Sequence, residues 1–90
     1  MWQILEHRKA QKGVLRAPHQ VRVNYHEWKR IVEIEGPTGL RLIKGFHDEA
    51  LKGEWFGYRS SRLSRQWRVI YRVEKKELVV YVVEINPHDY

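Results

Sequence analysis

The 90-residue chain has no cysteine, one methionine, three prolines and six glycines. Without cysteine it can build neither a disulfide framework nor a thiolate metal site, and the reducing cytoplasm is the expected compartment. Its longest apolar run, Leu78 to Val83, is far too short to cross a bilayer, and Met1-Trp2 opens no signal peptide. A soluble intracellular protein is expected. There is no His-x-His or His-Glu-x-x-His spacing to hold zinc, no phosphate-cradling glycine loop and no serine-nucleophile elbow. Repeats, low-complexity tracts and linkers are missing too, which leaves one domain over residues 1–90.

Acidic residues are also scarce. Seventeen Lys and Arg against eleven Asp and Glu give a net charge of +6, enough on a small body to steer it toward a polyanion. The excess is concentrated between residues 52 and 72. That stretch holds Lys52, Arg59, Arg62, Arg65, Arg68 and Arg72 against the single acid Glu54, with Trp55, Tyr58, Trp67 and Tyr71 interleaved. Arginine forks suit phosphate and aromatic rings suit bases, so nucleic-acid contact is the reading this composition favours over a merely solvated basic face.

Hydropathy patterning divides the chain further. "WQIL" has strand composition, and the basic "HRKAQKGVLRAP" reads as a brief helix broken by Gly13 and ended by Pro18. Val21, Tyr25, Trp28 and Val32 recur at steps of four, three and four, the core stripe of a helix that Gly36-Pro37 stops. Residues 38–54 read as a long loop with a helical turn. Beyond them the period changes to two: in "QWRVIYRV", Trp67, Val69, Tyr71 and Val73 point one way and Arg68, Ile70 and Arg72 the other. "GYRSSRL" precedes this strand and "ELVVYVVEI" follows it, the latter apolar on both faces as a central strand should be, with "EKKE" as the hairpin loop. The expected fold class is α+β, an N-terminal strand and helices packed on one face of an antiparallel sheet.

Cleaving RNA without a metal requires a base for the 2′-hydroxyl proton, an acid for the departing 5′-oxygen, and cations for the charge that develops on phosphorus. Arg68 lies on the strand face opposite the apolar one and is permanently charged. His88 follows the last strand, and histidine titrates near neutrality, as a general acid should. Either His47 or Glu49, in the loop before "LKG", can serve as base; Asp48 and Glu49 can equally be solvated loop acids.

Taken together, "EALKGEWFGYRSSRLSRQWRVIY" and "VVYVVEINPHDY" resemble the RelE/ParE superfamily of bacterial type II toxins, and most of all its ribosome-dependent mRNA interferases of the RelE, YoeB and YafQ kind. The similarity spans Glu49 to Tyr90. It implies a RelE-like, microbial-RNase-like fold and a toxin that inhibits translation by cutting mRNA in the ribosomal A site, without a cofactor. Implied catalytic residues are Glu49 as general base, Arg68 on the cleaved phosphate and His88 as general acid. Arg59 and Arg62 are implied for RNA phosphate or for part of the catalytic charge, Lys52 and Arg65 for ribosomal RNA, and Tyr90 for stacking or positioning. Asp89 separates His88 from Tyr90 where YoeB-like ends place the two side by side. Implied partners are mRNA, the ribosome and a cognate antitoxin, with no membrane and with DNA only through the antitoxin complex. A ParE-like inhibitor of DNA gyrase without nuclease activity is the alternative that the same superfamily offers.

Overall fold

The computed structural model describes residues 1–88. A short strand β1 (Gln3–Glu6) leads into helices α1 (Arg8–Arg16) and α2 (His19–Glu35), followed by 3-10 turns over Pro37–Leu42 and Lys44–Phe46. The strands β2 (Glu49–Ala50), β3 (Arg59–Arg62), β4 (Trp67–Glu74) and β5 (Val79–Pro87) complete it, with a third 3-10 turn, Gly53–Trp55, between β2 and β3. The sheet has five strands in the order β1-β5-β4-β3-β2. β2 to β5 are antiparallel neighbours, as the expected meander requires, and β1 adds a parallel pairing to β5. β5 is therefore internal, which accounts for its apolar residues on both faces.

The predicted stripe of α2 forms the helical half of the core: Val21, Tyr25, Trp28 and Val32 are all buried. They meet Val69, Tyr71, Val80, Val82 and Ile85 from the sheet, with Trp28 edge-on to Tyr71 at 5.2 Å between ring centres. Removing a fully buried indole of this kind costs roughly 3–5 kcal/mol. α2 ends at Gly36, whose φ of +81° only glycine adopts readily and whose added Cβ would lie 2.7 Å from Trp2 Nε1.

Gly13 does not break α1, contrary to the sequence expectation. The helix runs through it because α1 lies against the part of β5 that β1 is too short to cover. A Cβ at Gly13 would fall 1.9 Å from the Ile85 carbonyl oxygen. The missing side chain is what lets the helix approach the strand backbone. The stretch read as a long loop is also more structured than expected, containing β2 and the three 3-10 turns; a strand of two residues is too short to show a period.

Candidate functional site

Paired residues of antiparallel strands present their side chains on the same side of the sheet. Arg59, Tyr71 and Val82 form one such row, and Ser61, Val69 and Ile85 another, both on the face that the helices cover. On the opposite face, Arg62, Arg68 and Asn86 form a row across β3, β4 and β5, with Glu49, Ser60, Ile70 and Glu84 in the row beside it. This arrangement depends on an irregularity. Ile70 pairs with Glu84 but Tyr71 pairs with Val82, so Val83 is an extra residue in β5. A β-bulge of this kind re-aims every side chain beyond it. Without it Glu84 and Asn86 would face the core.

The backbone N–H of His88 donates to the Gln66 carbonyl, continuing the β4–β5 ladder by one pair past Trp67–Pro87. Alternation from Asn86 places the His88 side chain on the face of Arg68. The rows of this face therefore run Gln66–His88, then Arg62–Arg68–Asn86, then Glu49–Ser60–Ile70–Glu84. Glu49 and His88 lie on opposite sides of the arginine row. Neighbours within a row are about 5 Å apart and rows about 7 Å apart, so Glu49 and His88 each lie one row from Arg68, on opposite sides of it, and their backbones stand roughly 20 Å from each other.

Two buried polar atoms of the arginine row have no hydrogen-bond partner among the described residues: the Arg68 Nε donor and the Asn86 Oδ1 acceptor. They belong to a register pair. Asn86 is tethered on its other side, its Nδ2 donating to Glu84 Oε2 at 3.4 Å, while Lys9 forms an ion pair with Glu84 Oε1. An orphaned donor and an orphaned acceptor side by side, on the face opposite α2, suit a ligand that carries both functions. Sequence reasoning did not single out Asn86, since only the bulge brings it beside Arg68.

The predicted RNA-binding residues are placed unequally. Arg62 is in the central row, while Lys52 and Arg65 are exposed at the ends of the face. Arg59 lies on the helix-covered face instead, its Nε and Nη2 held by Asp48 Oδ1 at 2.9 and 2.7 Å. Asp48 is no solvated loop acid: its side chain is 0% exposed. Its Oδ2 accepts from Ser61 Oγ at 2.6 Å and Tyr71 Oη at 2.5 Å, and Ser61 in turn accepts from Trp28 Nε1 at 2.9 Å. Burial and the bond to Asp48 push the Tyr71 hydroxyl well above the usual tyrosine range. For Arg59, burial lowers the pKa, but the bonds to Asp48 outweigh it and raise the guanidinium above its ordinary value. This cluster pins the residue before Glu49 to the core.

Arg72 and Tyr81 pair across β4 and β5, with the guanidinium 4.2 Å from the ring centre, and Arg72 also bonds Glu74. Of the four aromatics in the basic stretch, Tyr71 and Trp67 belong to the core side, while Trp55 and Tyr58 stack edge-on to each other at 5.3 Å. The expectation for Tyr90 lies outside the described residues. No described helix is long and apolar enough to cross a membrane.

No family model and no curated protein sequence matches the chain. Solved structures do. A YoeB/ParE toxin from Agrobacterium tumefaciens superposes with a TM-score of 0.76 at 18% identity, over 97% of this chain and 99% of that one. The RelE–RelB complex from Pyrococcus horikoshii gives 0.74 at 24% identity, over 96% and 93% of the respective chains. The fold is that of the RelE-like toxins. YafQ in the Escherichia coli DinJ–YafQ toxin–antitoxin complex has it too, with a TM-score of 0.70 at 23% identity over 97% and 92%. The coverage is nearly complete in both directions, so the RelE-like fold accounts for the N-terminal half, where the sequence carried no specific motif, as well as for the part from Glu49 onward.

Proposed function

We propose that this protein is the toxin of a toxin–antitoxin pair and an endoribonuclease that cuts mRNA in the ribosomal A site by attack of the 2′-hydroxyl. The observation that carries the reading is the Arg62–Arg68–Asn86 row, where the buried Arg68 Nε has no hydrogen-bond partner among the described residues, with the His88 row on one side of it and the Glu49 row on the other. In-line displacement at phosphorus puts the attacking and leaving oxygens on opposite sides of the phosphoryl group, and base and acid must flank it in the same way.

With the scissile phosphate on Arg62 and Arg68, Glu49 accepts the 2′-hydroxyl proton as the 2′-oxygen bonds to phosphorus. The bond from phosphorus to the 5′-oxygen breaks, and His88 protonates that oxygen. The products are a 2′,3′-cyclic phosphate, or the 3′-phosphate from it, and a 5′-hydroxyl. Arg68 Nε and Asn86 Oδ1, without partners among the described residues, can take an acceptor and a donor from substrate, so both contribute most when the site is occupied. Glu49 is preferred to His47 as the base because His47 is not part of the open-face rows. No step calls for a metal. Lys52 serves contact with ribosomal RNA, Tyr90 stacks on or positions a base, and a cognate antitoxin neutralises the toxin by covering the basic face.

Primer extension on mRNA after induced expression tests this reading. Cuts within codons, in frame, are expected from the wild type and not from Arg68→Ala, and chelator in the purified reaction should leave cleavage unchanged. Arrested growth with uncut mRNA and a DNA-damage response would point instead to a gyrase-binding toxin of the same fold.

A further inference from the structure

Beyond Arg62 the arginine row opens into a cleft of about 510 Å³ between α2, the Lys44–Phe46 turn and the turn joining β3 to β4. Its wall is apolar on one side, where Ile43, 41% exposed, stands beside the half-buried ring of Phe46. Arg62 and Arg65, from the end of β3 and the turn after it, line it as well, His47 follows Phe46 on the turn, and no Asp or Glu is among its lining residues. Asn24, at the helix end of the cleft, holds the β3–β4 turn by donating from Nδ2 to the Leu63 carbonyl at 2.7 Å, so the floor is braced. His47 is kept in a left-handed conformation, φ +42°, between the 3-10 turn and the buried Asp48, which fixes the wall it belongs to.

An apolar, partly aromatic wall facing two guanidinium groups matches a ligand with a flat apolar face and an attached phosphate. We propose that the cleft binds one nucleotide of the RNA next to the scissile phosphate, its base against Phe46 and Ile43 and its phosphate on Arg65 and Arg62. This rests on the reading of the open face as a ribonuclease site, because Arg62 is shared between cleft and arginine row. It moves Arg65 from the ribosome to the substrate and gives His47 a role at the edge of a base rather than in proton transfer.

The test uses the full chain carrying Arg68→Ala, so that binding is read without cleavage, with amide NMR titrations of adenosine 5′-monophosphate, adenosine and inorganic phosphate. Adenosine 5′-monophosphate should shift amides of residues 43–47 and 62–65 and bind at least about fivefold more tightly than either fragment, the loss expected when a stacked base is removed. Arg65→Glu and Ile43→Asp, both at exposed positions, should each weaken it about fivefold or more while the remaining amide spectrum stays native. In otherwise wild-type protein, Ile43→Asp should alter the base preference beside the cut. Equal binding of inorganic phosphate, or a response confined to the arginine row, overturns the nucleotide site. If the wild type fails to cut mRNA, the ribonuclease reading falls; if it cuts and the cleft variants change neither binding nor base preference, this inference falls alone.

Discussion

At the scale of single residues, burial separates charges that sequence treats alike. Arg59 and Arg68 stand nine positions apart in one basic stretch, yet Asp48 holds Arg59 on the covered face while the buried Nε of Arg68, on the opposite face, has no partner among the described residues. Arg68→Ala is expected to lower cleavage about 10²–10³-fold with thermal stability little changed, the size of loss seen when one preorganised transition-state donor is removed. Asn86→Ala should lower it less, and Asn86→Asp should not restore it, because the acid loses the donor that bonds Glu84. Asp48→Ala should do the reverse, destabilising the fold by about 3 kcal/mol by leaving Arg59, Ser61 and Tyr71 without their acceptor. Urea unfolding with parallel cleavage assays checks all three. The side of the sheet on which Arg68 lies was legible from the two-residue period. The role of Asp48 was not, because its three partners are Arg59, Ser61 and Tyr71, and Ser61 in turn holds Trp28, all distant in sequence.

At the scale of elements, α2 and the β3–β5 meander were legible because each buries one face with its own period over eight or more residues or pairs with its sequence neighbour. β2, the parallel pairing of β1 and the bulge at Val83 were not, since they follow from register between strands and not from pattern within one. Deleting Val83 should turn Glu84, Asn86 and His88 toward the core. The expected result is loss of cleavage together with a marked loss of stability, visible in the same unfolding assay. Gly13→Ala makes a complementary case. Helix propensity alone would gain up to ~1 kcal/mol, but the clash with the Ile85 carbonyl should reverse the sign and cost roughly 1–3 kcal/mol.

At the scale of the whole molecule, two tyrosines and the net charge set the response to solution conditions. Tyr25 and Tyr71 are both raised above the ordinary tyrosine range, first by burial and then by hydrogen bonds to Glu6 and Asp48. Folded protein therefore retains protons that the unfolded chain releases, so this stability is fully present below pH ~10 and is lost as pH rises further. Each tyrosine should steepen the loss by up to ~1.4 kcal/mol per pH unit, and Tyr71→Phe should remove its share of the slope, as urea midpoints between pH 8 and 11 would report. RNA binding by a +6 chain should weaken with salt, with a slope of about −0.7 for each phosphate neutralised. Arg62→Ala and Arg68→Ala should each flatten that slope by about one phosphate's worth, whereas Arg59→Ala should leave it in place.

The Asp48 cluster also bears on how the molecule opens. β2 is a two-residue strand at the edge of the sheet, the kind of element that ordinarily frays and exchanges its amide hydrogens through local opening. Here the Leu51 amide, bonded to the Tyr58 carbonyl at 2.9 Å, lies three residues from a carboxylate tied to α2, β3 and β4 at once. Freeing it means breaking that cluster. Its hydrogen should exchange with the slow class that reports global unfolding, and Asp48→Asn should move it into the fast class, so the carboxylate that anchors Glu49 also ties the motion of the edge to that of the core.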